Sequence, residues 1–242
     1  MELYTDAYYR ALRDGARRSA EVVVPLVLRL TWPRSVLDVG CGRGTWLAVF
    51  RAHGVEDVCG VDGDYVDREQ LDIPRRQFVP WDLTQPLCLG RSFDLAVSLE
   101  VAEHLPADCA ETFIGSLTAL APLVLFSAAA PHQGGQGHVN EQWPAYWACL
   151  FAARGYVPID CLRRQLWDDE RVEWWYAQNI LLFAGPGQLE AMPPLREAHA
   201  RTGGTAPALV HPKRYLEWVE WGLGQCRQLH GLGPGAGPGG GA

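Results

Sequence analysis

The chain has 242 residues, with 21 basic against 28 acidic side chains and a formal net charge of −7. That length suits one sizeable core, and the acidic balance argues against nucleic acid as the main partner, which calls for a basic face. No apolar run approaches membrane-spanning length, and the seven cysteines are scattered without a C-x-x-C pair, so reduced thiols in a cytoplasmic setting are expected.

In chain order, the start Met1-Glu2-Leu3-Tyr4-Thr5-Asp6 lacks the charged-then-apolar pattern of a secretion signal. Residues 4–30 read as an amphipathic helix, with Ala16, Ala20 and Val23 at helical spacing between arginines. Pro25 is expected to break or kink it. Residues 1–30 would form a lid over a site, or merely a cover for one sheet face. Ser35–Val39 reads as a first strand, followed by Gly40-Cys41-Gly42-Arg43-Gly44 and a helix from Thr45 to His53. Val58–Asp62, Phe78–Leu83, Ser92–Leu99 and Leu123–Ser127 read as strands two to five, with a helix through Ala119 before the fifth. A glycine-containing loop, Ala130–Glu141, leads to an aromatic helix from Trp143 to Ala153. Tyr156–Arg164 and Gln178–Phe183 read as the last two strands, joined by an acidic, aromatic connection rather than a long helix, and so antiparallel.

Strands alternating with helices imply an α/β fold, a doubly wound, seven-stranded, mostly parallel sheet whose last strand is antiparallel. The expected organisation is one domain over 1–230, with a core at 35–184 and a helical extension at 185–230. Pro212–Leu229 would form one helix in that extension. The Gly- and Pro-rich end, 231–242, is expected to be disordered.

The glycine loop carries the first chemical signal. Glycine permits positive φ and close backbone approach, and the following helix start offers free N–H groups to a polar ligand. Asp62 ends the second strand 22 positions after Gly40, where a βαβ unit presents an acid to ribose hydroxyls. The spacing Gly40-x-Gly42-x-Gly44 departs from the G-x-G-x-x-G of dinucleotide oxidoreductases.

Together these residues resemble the class I S-adenosylmethionine-dependent methyltransferases, over about Ser35 to Ala184. Leu37-Asp38-Val39-Gly40-Cys41-Gly42-Arg43-Gly44 is similar to that family's first motif. The resemblance implies that Asp38, Gly40, Gly42 and Gly44 cradle the methionine part of S-adenosyl-L-methionine. It implies that Asp62 grips the ribose, with Gly63 leaving room beside it, and that Asp82 and Leu83 address the adenine edge. Leu99-Glu100-Val101-Ala102-Glu103-His104 resembles the motif after strand four in the small-molecule branch, which adds Glu100 to the cofactor set. The Asp/Asn-Pro-Pro-aromatic motif of enzymes that methylate amino groups of bases or glutamine is replaced here by Ser98-Leu99-Glu100-Val101.

Methyl transfer is an in-line displacement at a carbon already activated by the sulfonium, so the protein's task is placement. A hydroxyl or protonated amine must also lose a proton, which a general base assists. His138, His104 and His132 are the candidates, because imidazole titrates near neutrality and all three follow the C-terminal ends of strands. Val139-Asn140-Glu141 favours His138. His132, His138, Glu141 and His104 could also converge on a metal, but their spacing is not that of a metal motif and no metal is expected. Trp143, Tyr146, Trp174 and Trp175 are candidate walls of an acceptor pocket, against the alternative of plain packing. Arg43 and Arg171 are either contacts for an acidic acceptor or surface charges. The expected activity is methyl transfer to a hydroxyl, less readily an amine, of a small molecule such as a sugar or natural-product intermediate, without nucleic acid or membrane partners. The alternatives are a protein or peptide methyltransferase and a non-catalytic cofactor-binding protein.

Overall fold

The computed structural model of the chain describes residues 6–229, with side chains from Asp14 to Cys226. Its strands are β1 Ser35–Val39, β2 Asp57–Asp62, β3 Phe78–Pro80, β4 Leu95–Leu99, β5 Leu123–Ser127, β6 Val157–Ile159 and β7 Leu181–Ala184. They form one seven-stranded sheet in the order β3-β2-β1-β4-β5-β7-β6. Neighbours from β3 across to β5 are parallel, and β7 runs antiparallel to both β5 and β6. The expected doubly wound sheet with a reversed last strand is therefore present.

Both faces are covered, as a parallel sheet requires. In β1, Val36 packs to one side and Leu37 and Val39 to the other, which is the period-two alternation of a strand. The first face is covered by α1 (Asp6–Thr31), α2 (Thr45–Ala52) and α8 (Pro193–Thr202), through Val23, Val27, Leu47, Phe50 and Leu195. The second is covered by α3 (Ala110–Leu120) and α4 (Pro144–Ala152). There Phe151 stacks on Phe183 at 3.9 Å between centroids, and Phe126 meets both edge-on.

The third strand ends at Pro80 instead of Leu83 and the fourth begins at Leu95 instead of Ser92, and three larger expectations are corrected. α1 runs unbroken through Pro25. A proline inside a helix costs about 3 kcal/mol, but Ala20, Val23, Val24 and Val27 on that stretch are completely buried, and such burial returns about 1.5–3 kcal/mol per large apolar side chain. The sixth strand is three residues long, not nine. It is the sheet edge and contains Pro158, which cannot donate to a ladder, and the chain turns at once into α5 (Arg163–Leu166). The seventh strand begins at Leu181 because residues 174–179 form a short helix, α6 (Trp174–Asn179).

A further short helix, α7 (Gln188–Ala191), precedes α8 in the unit that ends at Leu209. A second unit starts at Val210 and carries α9 (Pro212–Leu229), on the residues expected for it. The expected disorder over 231–242 falls outside the described residues. Among the described residues no helix is long and apolar enough to cross a membrane.

Candidate active site

β1 lies between β2 and β4, so the connections leaving β1 and β4 diverge to opposite faces of the sheet and leave a crevice at its C-terminal edge. A cleft of about 570 Å³ opens there, within the range of small-ligand sites. One wall is the glycine loop after β1, at Gly40, Cys41, Gly42 and Arg43. Glu100, Glu103, His104 and His138 line the cleft as well, together with Trp174, Trp175 and Tyr176.

The loop is shaped by φ values that favour glycine. Gly40 sits at φ +82°, and a Cβ there would fall 2.3 Å from a methyl of Val101. Gly44 sits at φ +84° and caps the N-terminus of α2, with Ile73 against it. Asp62 holds this loop from the end of β2. Its carboxylate accepts from the backbone N–H of Gly42 at 2.6 Å and of Gly63 at 2.7 Å, and from the Tyr65 hydroxyl at 2.5 Å. Only 5% of Asp62 is exposed. The Tyr65 ring occupies the space beside Gly63, since a Cβ on Gly63 would lie 2.1 Å from it. Beneath the loop Asp38 is buried, with Oδ2 lacking a hydrogen-bond partner. Burial first, and the Asp62 charge second, push the Asp38 carboxyl up to about 8. The buried Asp38 carboxyl keeps its proton unless a donor or a cation meets it, and the ammonium-bearing end of S-adenosylmethionine has that chemistry.

Asp82 stands apart from these groups. Its carboxylate is exposed and accepts from the Thr84 N–H and hydroxyl, which hold it below the usual carboxylate range. Leu83 is half-buried, and neither residue lines the cleft; nor do Asp38, Gly44, Asp62 and Gly63, which lie behind or beside the loop that does.

Glu100 follows β4 at φ +55°, a conformation rare outside glycine that costs on the order of 1 kcal/mol. The Ser127 carbonyl and hydroxyl accept its N–H. Its carboxylate accepts from Gln133 Nε2 at 2.8 Å and Asn179 Nδ2 at 3.1 Å. Burial raises the Glu100 pKa, and the hydrogen bonds from Ser127, Asn179 and Gln133 offset part of that rise. Two residues of this network, Gln133 and Asn179, are absent from the sequence-derived candidates. Asn179 escaped because its segment read as strand. It is instead the last residue of α6, which aims its amide at Glu100.

The histidines divide. His104 sits in a 3₁₀ turn after β4, and His138 reaches it from the loop after β5, with ring centroids 4.8 Å apart at 90°. That loop is pinned by the Glu103 carbonyl, which accepts from the N–H groups of Val139 and Asn140. Burial, then the neighbouring His138, lowers the His104 pKa, and a backbone hydrogen bond to Gly137 opposes them. His138 Nδ1 lies 2.8 Å from Glu141 Oε1. Burial raises the Glu141 pKa, but His138 and the N–H groups of Gly134 and His132 outweigh it and leave it lowered. His132 is exposed and lies outside the cleft lining, and its backbone N–H donates to Glu141. Glu103 has 0% exposure and no well-formed hydrogen bond on either carboxylate oxygen. Burial, with Glu100 nearby, pushes its carboxyl up to about 9. The Glu-x-x-Glu-His run after β4 carried Glu103 in plain sight, but no spacing argument separated it from a solvated acid.

The aromatic candidates divide too. Trp174 and Trp175 line the cleft. Trp143 is exposed at the start of α4, and Tyr146 packs edge-on against the buried Trp147, so both lie away from it. Arg43 lines the cleft while its Nε donates to the Gln70 carbonyl at 2.5 Å, and Arg171 pairs with Asp169 at the surface.

Comparison with known proteins places this geometry. The family model described as a methyltransferase domain matches residues 9–178. No curated protein matches the sequence. Among solved structures, magnesium protoporphyrin IX methyltransferase (ChlM) from Synechocystis with bound SAH is 19% identical, with a TM-score of 0.56 over 76% of this chain and 89% of that one. CalS10, an amino pentose methyltransferase from Micromonospora echinaspora, is 16% identical, with a TM-score of 0.53 over 76% and 98%. The methyltransferase domain of bacterial CtHen1 is 21% identical, with a TM-score of 0.51 over 69% and 97%. At these identities the likeness establishes the shared fold.

Proposed function

The chain belongs to the methyltransferase domain family, whose methyl donor is S-adenosyl-L-methionine, and from that premise we propose that it methylates a hydroxyl group of a small molecule. The donor, when bound, supplies a methyl carbon activated by a sulfonium. Gly40, Gly42 and the α2 N-terminus receive its amino-acid end, Asp38 offers an unpartnered acceptor beneath that end, and Asp62 receives the ribose. Glu100, on its strained backbone, borders the same space.

The observation that carries the acceptor reading is that His104, His138 and Glu103 line the same cleft as the glycine loop, Trp174 and Trp175, with the two imidazoles in contact. The tryptophans suit the apolar or sugar face of an acceptor. The histidine and carboxylate groups suit an acceptor atom that must shed a proton, as a hydroxyl must. Small-molecule acceptors are also the substrates named for two proteins of like fold, magnesium protoporphyrin IX and an amino pentose. His132 is outside this arrangement and takes no part.

The test is turnover of labelled S-adenosylmethionine against a panel of hydroxyl-bearing sugars and phenolic or polyketide intermediates, with amines and peptides in parallel. The expected product carries its new methyl on oxygen, located by NMR. Methylation confined to amines or peptide side chains would overturn the reading.

A further inference from the structure

We propose that Glu103, His104 and His138 form a binding site for one divalent first-row transition ion, open to the cleft beside the glycine loop. One ligand atom from each residue lies within 4.8 Å of the others. Two atoms bound to one ion at about 2.1 Å stand at most about 4.2 Å apart. Three ligand atoms sharing one ion stand about 3.0–3.6 Å from one another, so the widest-spaced of these groups would close by about 1–2 Å through side-chain rotation.

An independent observation points to the ligand. Glu103 is fully buried and lines the cleft, neither carboxylate oxygen makes a well-formed hydrogen bond, and only its own N–H, the Ala129 N–H and the Glu100 side chain stand near it. A carboxyl in that position either keeps its proton or meets a cation. The histidines are oriented as ligands. Glu141 takes Nδ1 of His138 and is itself fixed by the N–H groups of His132 and Gly134 at 2.7 Å each. Nε2 then carries the ring's lone pair, the arrangement by which a carboxylate orients a metal-bound imidazole. Gly135 packs against this edge of the ring, where a Cβ would lie 2.2 Å from Nε2. The Glu103 carbonyl, by accepting from Val139 and Asn140, ties the loop carrying His138 to the turn carrying His104. Glu100 is occupied by Gln133 and Asn179 and adds negative charge nearby rather than a ligand.

Two imidazoles and one carboxylate with open positions suit manganese, iron, cobalt, nickel or zinc over the all-oxygen preference of magnesium and calcium. The three candidates that the sequence grouped with His104, namely His132, His138 and Glu141, thus resolve differently. His138 is a ligand, Glu141 orients it, His132 is outside, and Glu103 completes the set. For the reaction, and resting on the hydroxyl reading above, Glu103, His104 and His138 would hold the cation, which would supply Lewis acidity toward an acceptor hydroxyl.

The test uses the full chain, stripped of metal and titrated with manganese by calorimetry and electron paramagnetic resonance, and with cobalt by visible absorption. One ion per chain is expected, with cobalt bands of nitrogen and oxygen ligation. Glu103→Gln and His138→Ala should each abolish the stoichiometric site. Glu141→Gln should weaken it about 10- to 100-fold. Each variant must still bind S-adenosylhomocysteine, which shows that the cleft is folded. A wild-type chain that takes up no stoichiometric manganese or cobalt, or a His138→Ala chain that binds as tightly as wild type, overturns the site. Stoichiometric binding together with methylation of amines alone keeps the site and overturns the hydroxyl reading.

Discussion

Asp62 offers a quantitative test of how the glycine loop and the methyl donor share one carboxylate. Its two oxygens take three donors in the structure, the N–H groups of Gly42 and Gly63 and the Tyr65 hydroxyl. On the proposed reading the ribose hydroxyls bond to the same oxygens, so Tyr65 would yield its place when the donor binds. Hydrogen bonds to a charged acceptor contribute about 1.5–3 kcal/mol each. Asp62→Asn removes the charge and turns one oxygen into an N–H₂ that confronts another donor. One to two such bonds to the ribose are weakened, a loss of about 2–4 kcal/mol, or roughly 30- to 700-fold in the dissociation constant. Tyr65→Phe removes only the competing donor, and the same constant should stay level or fall. Calorimetric titration of the three proteins with S-adenosylhomocysteine at one pH measures both effects, with circular dichroism to show that the loop mutant is folded. A folded Asp62→Asn chain that binds within threefold of wild type would refute the shared-carboxylate argument. So would a Tyr65→Phe chain that binds tenfold more weakly.

Three further outcomes follow from the same geometry. Gly40→Ala places a Cβ against Val101 at φ +82° and should cost about 1–3 kcal/mol in urea denaturation, with part recovered by adding Val101→Ala, which relieves the contact but not the dihedral. Asp38 is held up to about 8 by burial and near 3.8 when unfolded, so the folded state keeps a proton that the unfolded state has lost. Stability from this group is full below pH 4 and is lost as pH rises toward 8, at about 1.4 kcal/mol per pH unit between. Asp38→Asn should flatten that slope in denaturation midpoints measured from pH 5 to 8, and an unchanged slope would remove Asp38 as its source. Phe151→Ala deletes the ring stacked on Phe183 and should cost about 3–5 kcal/mol. A loss under 1 kcal/mol by chemical denaturation would mean that α4 contributes little to the core.

The periodicity of apolar residues was enough for the sheet, because a strand buried on both faces is written as a short apolar run whatever surrounds it. β1 and β5 lie on the residues expected of them. So was the glycine loop, since positive φ at Gly40 and Gly44 is a local demand that only a local residue choice meets. Asp62 was readable from its distance in sequence because the βαβ unit fixes that distance. Other decisions needed the tertiary structure. Whether Pro25 ends α1 depends on the burial of Val23 and Val27 against the sheet, a sum over distant contacts. Asn179 reaches Glu100 across 79 positions of sequence, and no local pattern records that meeting. Trp143 and Trp174 look alike as residues beside a loop, but one caps a helix at the surface and the other lines the cleft. The same holds for the histidines. His104, His132 and His138 are equal as residue types, and it is the hold of the Glu103 carbonyl on the loop after β5 that brings His138 to His104 and leaves His132 outside. Local conformational demands were thus written in the chain, while the rest of the cleft exists only where the ends of β4, β5 and α6 come together.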